Sequence, residues 1–185
     1  MRIISGTVGG RKLTEPVGNK IRPTSDRVKE SIFNILQFDI EGRRVLDLFA
    51  GTGQLGIEAL SRGAASAVFV DSSSDAVKLV RDNLRICGLY ELARVYLSDA
   101  LRFLESDERF DIILVDPPYD SMLTHKVVSK IIEFDKLNVN GIILCEFRAA
   151  TAIPEVKPPY ELVKSYKYGT VCLTKIARSF DTAML

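Results

Sequence analysis

The decapeptide FDIILVDPPY at residues 110–119 sets the tightest limits on this chain. Its apolar run, Ile112 to Val115, is short, uninterrupted and rich in β-branched residues. That is the pattern of a strand buried on both faces. Two prolines cannot extend a ladder, because neither offers an N–H, so the strand has to stop at Asp116. A strand covered on both sides belongs in a sheet with helices on either face, and in such sheets ligands sit beyond the carboxyl ends of the strands. Asp116, Pro117, Pro118 and Tyr119 are therefore candidate catalytic residues at that edge.

The groups themselves suggest a chemistry. An ionised carboxylate only accepts hydrogen bonds. The Asp116 side chain and the Pro117 carbonyl offer two acceptors beside one ring. Two acceptors suit an exocyclic amine on a nucleobase, whose two N–H hydrogens they hold while its lone pair points outward. Tyr119 would stack on that base, an interaction worth roughly 1–3 kcal/mol. A strand end with a Pro-Pro turn and a capping Asp is the plainer reading of the same four residues.

A second constellation lies upstream. The run RVLDLF at residues 44–49 reads as a buried strand and leads into Ala50-Gly51-Thr52-Gly53-Gln54-Leu55-Gly56. Gly51, Gly53 and Gly56 fit G-x-G-x-x-G between a strand and a helix over 55–61 that stops at Gly63. Such glycines permit a tight turn and close approach of backbone N–H groups to a ligand. The strand AVFVD at 67–71 ends in Asp71, placed in sequence where a carboxylate takes ribose hydroxyls. With flanking strand, helix and downstream acid, the pattern indicates a nucleoside cofactor.

The remaining elements follow from periodicity. Residues 2–13 alternate weakly around Gly9-Gly10 and predict a β-hairpin carrying Arg2, Arg11 and Lys12. Pro23-Thr24-Ser25-Asp26 predicts a helix start, with Val28, Ile32, Ile35 and Leu36 forming one apolar stripe. Arg22, Arg27 and Lys29 lie off or before the stripe, available to phosphates or only to water. A helix over 73–87, a strand over 94–97, a short helix over 101–104, a helix over 124–134 and a strand over 141–147 come next. Asp99 either caps the short helix or takes an adenine amino group at the same edge. Strands over 161–168 and 170–176 flank Gly169 as a closing hairpin, and 177–185 reads as a frayed tail. Strand–helix repetition followed by a hairpin gives an α/β, doubly wound, mostly parallel sheet with an antiparallel edge. Right-handed crossovers then bring Gly51, Gly53, Asp71, Asp99 and Asp116 to one rim.

Length and composition narrow the class. The 185 residues suit one domain, expected as an extension over 1–43, a core over 44–176 and a tail over 177–185. No apolar run reaches the roughly 18 residues that read as a membrane span, and the first residues lack the apolar stretch of a signal peptide, so a cytoplasmic protein is expected. Cys87, Cys145 and Cys172 are odd in number, widely spaced and in apolar contexts, which reads as buried free thiols. With His125 the single histidine, no metal site is expected. Residues 1–44 carry 9 Lys/Arg against 5 Asp/Glu, net +4, whereas 45–154 carry 11 against 16, net −5. A basic front on a nearly neutral chain suits a local anionic partner.

These stretches together resemble a known family. MRIISGTVGGRKL, RPTSDRVKESIFNIL, DLFAGTGQLGIEALSRGA, SDA, VDPPY and YGTVCL are similar to segments of the bacterial small-subunit ribosomal RNA guanine-N2 methyltransferases, over nearly the whole chain to about Ile176. The resemblance implies a Rossmann-like class I methyltransferase fold with a seven-stranded sheet. It implies S-adenosyl-L-methionine as cofactor, with Asp47, Phe49, Gly51, Thr52, Gly53, Asp71, Ser72, Asp99 and Ala100 around it. Asp71 stands where many relatives use Glu, and either carboxylate binds a ribose diol. Gln54 also departs from the pattern and is expected to face the helix start. The target would be the 2-amino group of a guanine in ribosomal RNA, within the small subunit or an assembly intermediate, gripped by Arg2, Arg11, Lys12, Arg22 and Arg27 of a monomer. Adenine-N6 methylation of DNA or RNA uses the same tetrapeptide. A nucleotide-dependent oxidoreductase would explain the glycines but not VDPPY, and an inactive RNA-binding assembly factor is the non-enzymatic alternative.

Overall fold

A computed structural model describes residues 1–16, 26–117, 121–148 and 153–179. The chain runs α1 (Asp26–Ile35), β1 (Arg44–Asp47), α2 (Gln54–Ser61), β2 (Ser66–Asp71), α3 (Ser74–Cys87), β3 (Ala93–Leu97), α4 (Ala100–Phe103), β4 (Phe110–Val115), α5 (Ser121–Glu133), β5 (Leu137–Arg148), β6 (Tyr160–Tyr168) and β7 (Val171–Arg178). The seven strands form one sheet in the order β3-β2-β1-β4-β5-β7-β6. β1 to β5 are parallel, and β7 enters antiparallel between β5 and β6. The order reverses between β1 and β4, so the crevice beyond their carboxyl ends is the switch point where such sheets bind ligands.

Strand alternation sorts the core into two layers. Val45, Phe69, Leu114, Leu144 and Leu173 pack on one face with Phe33 of α1, Ile57 of α2 and Leu84 of α3. Leu46, Val70, Val115, Cys145 and Ile176 pack on the other with Phe103 of α4 and Val127 and Val128 of α5. The doubly wound arrangement expected from the sequence is thus observed, and helices cap as their sequences suggest. Ser73 caps α3 by accepting from the Ala76 N–H at 3.4 Å, and Gly88 ends it at φ 68°.

Four expectations need correction. The hairpin over 2–13 is reduced to one antiparallel bridge, Arg2 with Lys12. Its tip pairs outward instead: the Ile4 and Ser5 N–H groups donate to the Glu58 carboxylate at 2.6 and 3.0 Å, and the Thr7 N–H donates to the Ser61 carbonyl at 2.7 Å. Lys29 meets neither phosphate nor water; it is 0% exposed, and its ammonium donates to the Arg2 carbonyl at 2.6 Å. The last strand does not fray at residue 177. It runs to Arg178, whose guanidinium donates to both Asp135 oxygens at 2.7 and 3.1 Å. Cys172 is half-buried, unlike Cys87 and Cys145. Pro23, Thr24 and Ser25 of the expected helix start lie outside the described residues, as do the side chain of Arg27 and the whole of Arg22.

Candidate active site

Asp47 ends β1 and is 2% exposed. One of its oxygens accepts the Gly56 N–H at 2.9 Å. Burial pushes its carboxyl up to about 7; the Gly56 N–H opposes this, and the charges of Asp116 and Asp71 add to it. Those two carboxylates thus lie near enough to be felt at Asp47, although they come from different strands.

The glycine turn is built by backbone bonds. The Ala50 N–H donates to the Val70 carbonyl at 2.9 Å and the Gly53 N–H to the Ala50 carbonyl at 2.6 Å. Gly51 and Gly53 have φ of 53° and 78°, the left-handed region that glycine enters without strain. Gly56 serves differently: a Cβ there would lie 2.2 Å from the Phe69 ring, so its absence lets α2 press onto β2. Gln54 opens α2 and is buried.

Asp71 ends β2 and joins the turns on either side. Its oxygens accept the Gly51 N–H at 2.8 Å and the Ser73 N–H at 2.9 Å. The Ser98 N–H donates to the Asp71 carbonyl at 3.0 Å, which brings the end of β3 to the same rim. Asp99 follows and caps α4, with one oxygen accepting from the Leu101 and Arg102 N–H groups at 2.9 and 3.1 Å. Phe49 is half-buried, Ser72 exposed and Ala100 buried beside these turns.

Asp116 is half-buried and Pro117 buried, one and two residues past β4. The Leu48 N–H donates to the Leu114 carbonyl at 3.2 Å and carries the β1–β4 pairing up to this point. Pro118 and Tyr119 lie outside the described residues, so the stacking ring is not part of the geometry here. Thr52, expected against the cofactor, turns its hydroxyl to the Met1 sulfur at 3.5 Å. Arg2, Arg11 and Lys12 are exposed on the amino-terminal segment. The Cys87 thiol is raised by burial and lowered in part by the Arg11 charge, which places Arg11 beside the end of α3.

Asn83 was not singled out by the sequence reading. It is 0% exposed; its amide donates to the Thr52 carbonyl at 2.9 Å and the Thr14 carbonyl at 3.2 Å, and its oxygen accepts the Thr14 N–H at 2.8 Å. One side chain therefore ties the amino-terminal segment to the glycine turn. A signal did exist: Asn83 falls within the Val77, Val80, Leu84 stripe, where a polar residue needs buried partners. Glu58, 0% exposed on α2, anchors the same segment and also pairs with Arg62 at 2.7 Å.

The rim therefore gathers carboxylates, and one of them is desolvated. It suits a ligand rich in N–H donors or positive charge and disfavours a bare phosphate. Left-handed glycines and Asp71 at the end of β2 fit a nucleoside. Among the described residues no group of His, Cys, Asp and Glu is arranged to hold a metal ion, and no helix is long and apolar enough to cross a membrane.

Comparison with known proteins agrees with this geometry. The family model described as conserved hypothetical protein 95 matches residues 1–177. The chain belongs to that family. Its relatives include the Bacillus subtilis protein named "Putative rRNA methyltransferase YlbH", 40% identical over 173 residues, covering 91% of this chain and 94% of that protein. The ribosomal RNA small subunit methyltransferase D of Escherichia coli is 34% identical over 172 residues, covering 92% and 86%. A solved structure from Escherichia coli, titled a putative methyltransferase yhhF, superposes with a TM-score of 0.88 at 32% identity, covering 97% of this chain and 98% of that one. The conserved hypothetical protein 95 family thus takes in the resemblance drawn from VDPPY and the glycine turn, and the fold is that of the class I methyltransferases.

Proposed function

We propose that this chain transfers a methyl group from S-adenosyl-L-methionine to the exocyclic 2-amino group of a guanine in small-subunit ribosomal RNA. The observation that carries the reading is the meeting of Asp47, Asp71 and Asp116 at the switch point, with Asp47 buried enough to be half protonated near neutrality. A desolvated carboxylate flanked by two others fits a ligand with a cationic amino-acid end and a ribose. Asp47 and the glycine turn seat that end, Asp71 takes the ribose hydroxyls, and Asp99, with one oxygen committed to capping, takes an adenine amino group with the other. When bound, the cofactor supplies a methyl group activated on a positively charged sulfur.

The chain's own residues do the rest. Asp116 and the Pro117 carbonyl hold the two hydrogens of the target amine and point its lone pair at the methyl. Alignment is the main contribution, since orientation supplies about 7–11 kcal/mol in favourable cases. The amine becomes acidic as it is alkylated, and its proton passes to Asp116 or to water. Extruding the base costs a few kcal/mol, least for an unpaired one. Arg2, Arg11 and Lys12 hold phosphates, which fix position without reading sequence, with Arg22 and Arg27 assigned the same role from the sequence alone. The relatives' names support ribosomal RNA as the target class. A small subunit or its assembly intermediate, met by a monomer in the cytoplasm, is the proposed setting.

The test is incubation with small subunits from a strain lacking the protein and tritiated cofactor, followed by digestion to nucleosides. N2-methylguanosine at one position is expected. Label in N6-methyladenosine, or none in ribosomal RNA, overturns the reading.

A further inference from the structure

Beside Asp116 the sheet places a second carboxylate that the proposed reaction does not yet use. The β4–β5 register pairs Val115 with Cys145, so the next step outward sets Asp116 beside Glu146. Parallel neighbours lie about 4.8 Å apart. Side chains alternate along β5: Leu144 belongs to the core layer of α1–α3, and Cys145 and Phe147 to the opposite layer. Glu146 therefore falls on the Leu144 side, opposite Leu173 of β7, which is in the same layer. Leu114 and Val115 alternate the same way, which sets Asp116 on that side too, in agreement with its charge being felt at Asp47. Glu146 is half-buried between buried Cys145 and Phe147.

We propose that Glu146 selects guanine over adenine by accepting the ring N1–H of the extruded base. The inference rests on the proposed methyl transfer to guanine. With both amine hydrogens held by Asp116 and the Pro117 carbonyl, the next polar atom on that edge of guanine is N1–H, a donor. On adenine the atom beside the amine is an unprotonated nitrogen, an acceptor that a carboxylate repels. Base edges are told apart by such donor–acceptor patterns. A site built to hydrogen-bond one group rejects an analogue lacking it far more strongly than an apolar pocket does. Glu146 is thus a specificity residue, and Asp116 serves any exocyclic amine.

The test uses small-subunit RNA whose methylated guanosine, located by the tritium assay, is replaced by 2-aminopurine riboside or 2,6-diaminopurine riboside. Both keep the 2-amino group and lack N1–H, and they differ from each other only at C6. The wild-type protein is expected to lose roughly 100-fold or more in kcat/KM on both. Glu146→Gln, whose amide can donate to the bare nitrogen, narrows that ratio to within about tenfold, and Glu146→Ala narrows it by slowing guanosine. Affinity for S-adenosylhomocysteine stays unchanged in Glu146→Gln. Equal wild-type rates on guanosine and both analogues overturn the assignment while leaving guanine methylation standing, and need no variant. An unaltered ratio in Glu146→Gln also overturns it. Failure of the wild-type protein on guanosine itself refutes instead the reaction on which the assignment rests.

Discussion

Asp47 makes a prediction whose size follows from the structure. Its carboxyl moves from 3.8 to about 7, mainly through burial. At 1.36 kcal/mol per unit, ionising it in the folded protein costs about 4 kcal/mol more than in the unfolded chain. Between those two values the native state keeps a proton that the unfolded state has released. Stability from that proton is therefore complete below about pH 4 and is lost as pH rises through about 7. Asp47→Asn retains an oxygen for the Gly56 N–H and has no charge to bury, so its stability should not fall across that window. Other groups titrate as well. At Asp135 burial alone raises the carboxyl, but the bonds from Arg178 and Tyr160 overcome it and hold it low, so its contribution disappears toward acid. The difference between wild type and variant isolates Asp47.

Urea unfolding at pH 5, 6, 7 and 8 gives that difference directly. Asp47→Asn should gain on the wild type with each step, by about 1 kcal/mol per unit until the curves level above pH 7. A cationic ligand favours the ionised form, so binding of S-adenosylmethionine by the wild type should tighten up to tenfold per unit below pH 7 and plateau above. Calorimetry at pH 6 in buffers of different ionisation heat should register close to one proton released on binding, and none with the variant. Parallel unfolding curves, or equal proton release by both proteins, would falsify the claim that this carboxyl is held protonated by its burial.

Three further outcomes are expected. Asp116→Ala should abolish methyl transfer while S-adenosylhomocysteine still binds; turnover in that variant would remove Asp116 from the reaction. Gly56→Ala should lower stability by about 1–3 kcal/mol, a fall of roughly 5 °C in Tm, because a Cβ 2.2 Å from the Phe69 ring forces α2 away from β2; an unchanged Tm would show that α2 shifts at no cost. Arg11→Gln combined with Lys12→Gln should weaken RNA binding and flatten its log–log salt dependence by roughly 2, one step per lost phosphate contact, with cofactor affinity intact; an unchanged slope would take both residues off the RNA.

Much of the sheet was legible because its strands are short apolar runs that end in recognisable acids. Ile112 to Val115, Ala67 to Val70 and the glycines at 51, 53 and 56 each carry their placement in local pattern. What was not legible depends on partners far along the chain. The turn at residues 4–8 looked like half a hairpin, yet its N–H groups are taken by Glu58 and Ser61, more than fifty residues away. Lys29 read as a surface cation because nothing nearby in sequence announces the Arg2 carbonyl as its acceptor. Arg178 looked like part of a polar tail, but Asp135, in a turn at φ 49°, draws it in and lengthens β7 by two residues. Asp71 shows the intermediate case: its position at the rim was legible, but its bonds to the Gly51 and Ser73 N–H groups were not.

The distribution of charge then constrains how RNA can approach. Asp47, Asp71, Asp99, Asp116 and Glu146 come from the ends of five parallel strands and make the rim mainly acidic, with Arg148 also at the end of β5. A phosphodiester within about 8 Å of them would feel net repulsion at physiological salt. The exposed cations Arg2, Arg11 and Lys12 lie instead on the segment fastened to α2 and α3 by Glu58, Ser61 and Asn83. If backbone is held there, as proposed, and repelled from the rim, the part of a nucleotide left to reach Asp116 is a base, entering by the edge that carries its N–H donors. On the proposed reading, the same acids that seat a positively charged cofactor also require the base to leave its stack. A nucleotide locked in a helix should therefore be a poor substrate even when the arm binds that helix well. Comparing one target sequence as a paired stem and as an open loop measures this directly, and equal kcat/KM on the two would refute it.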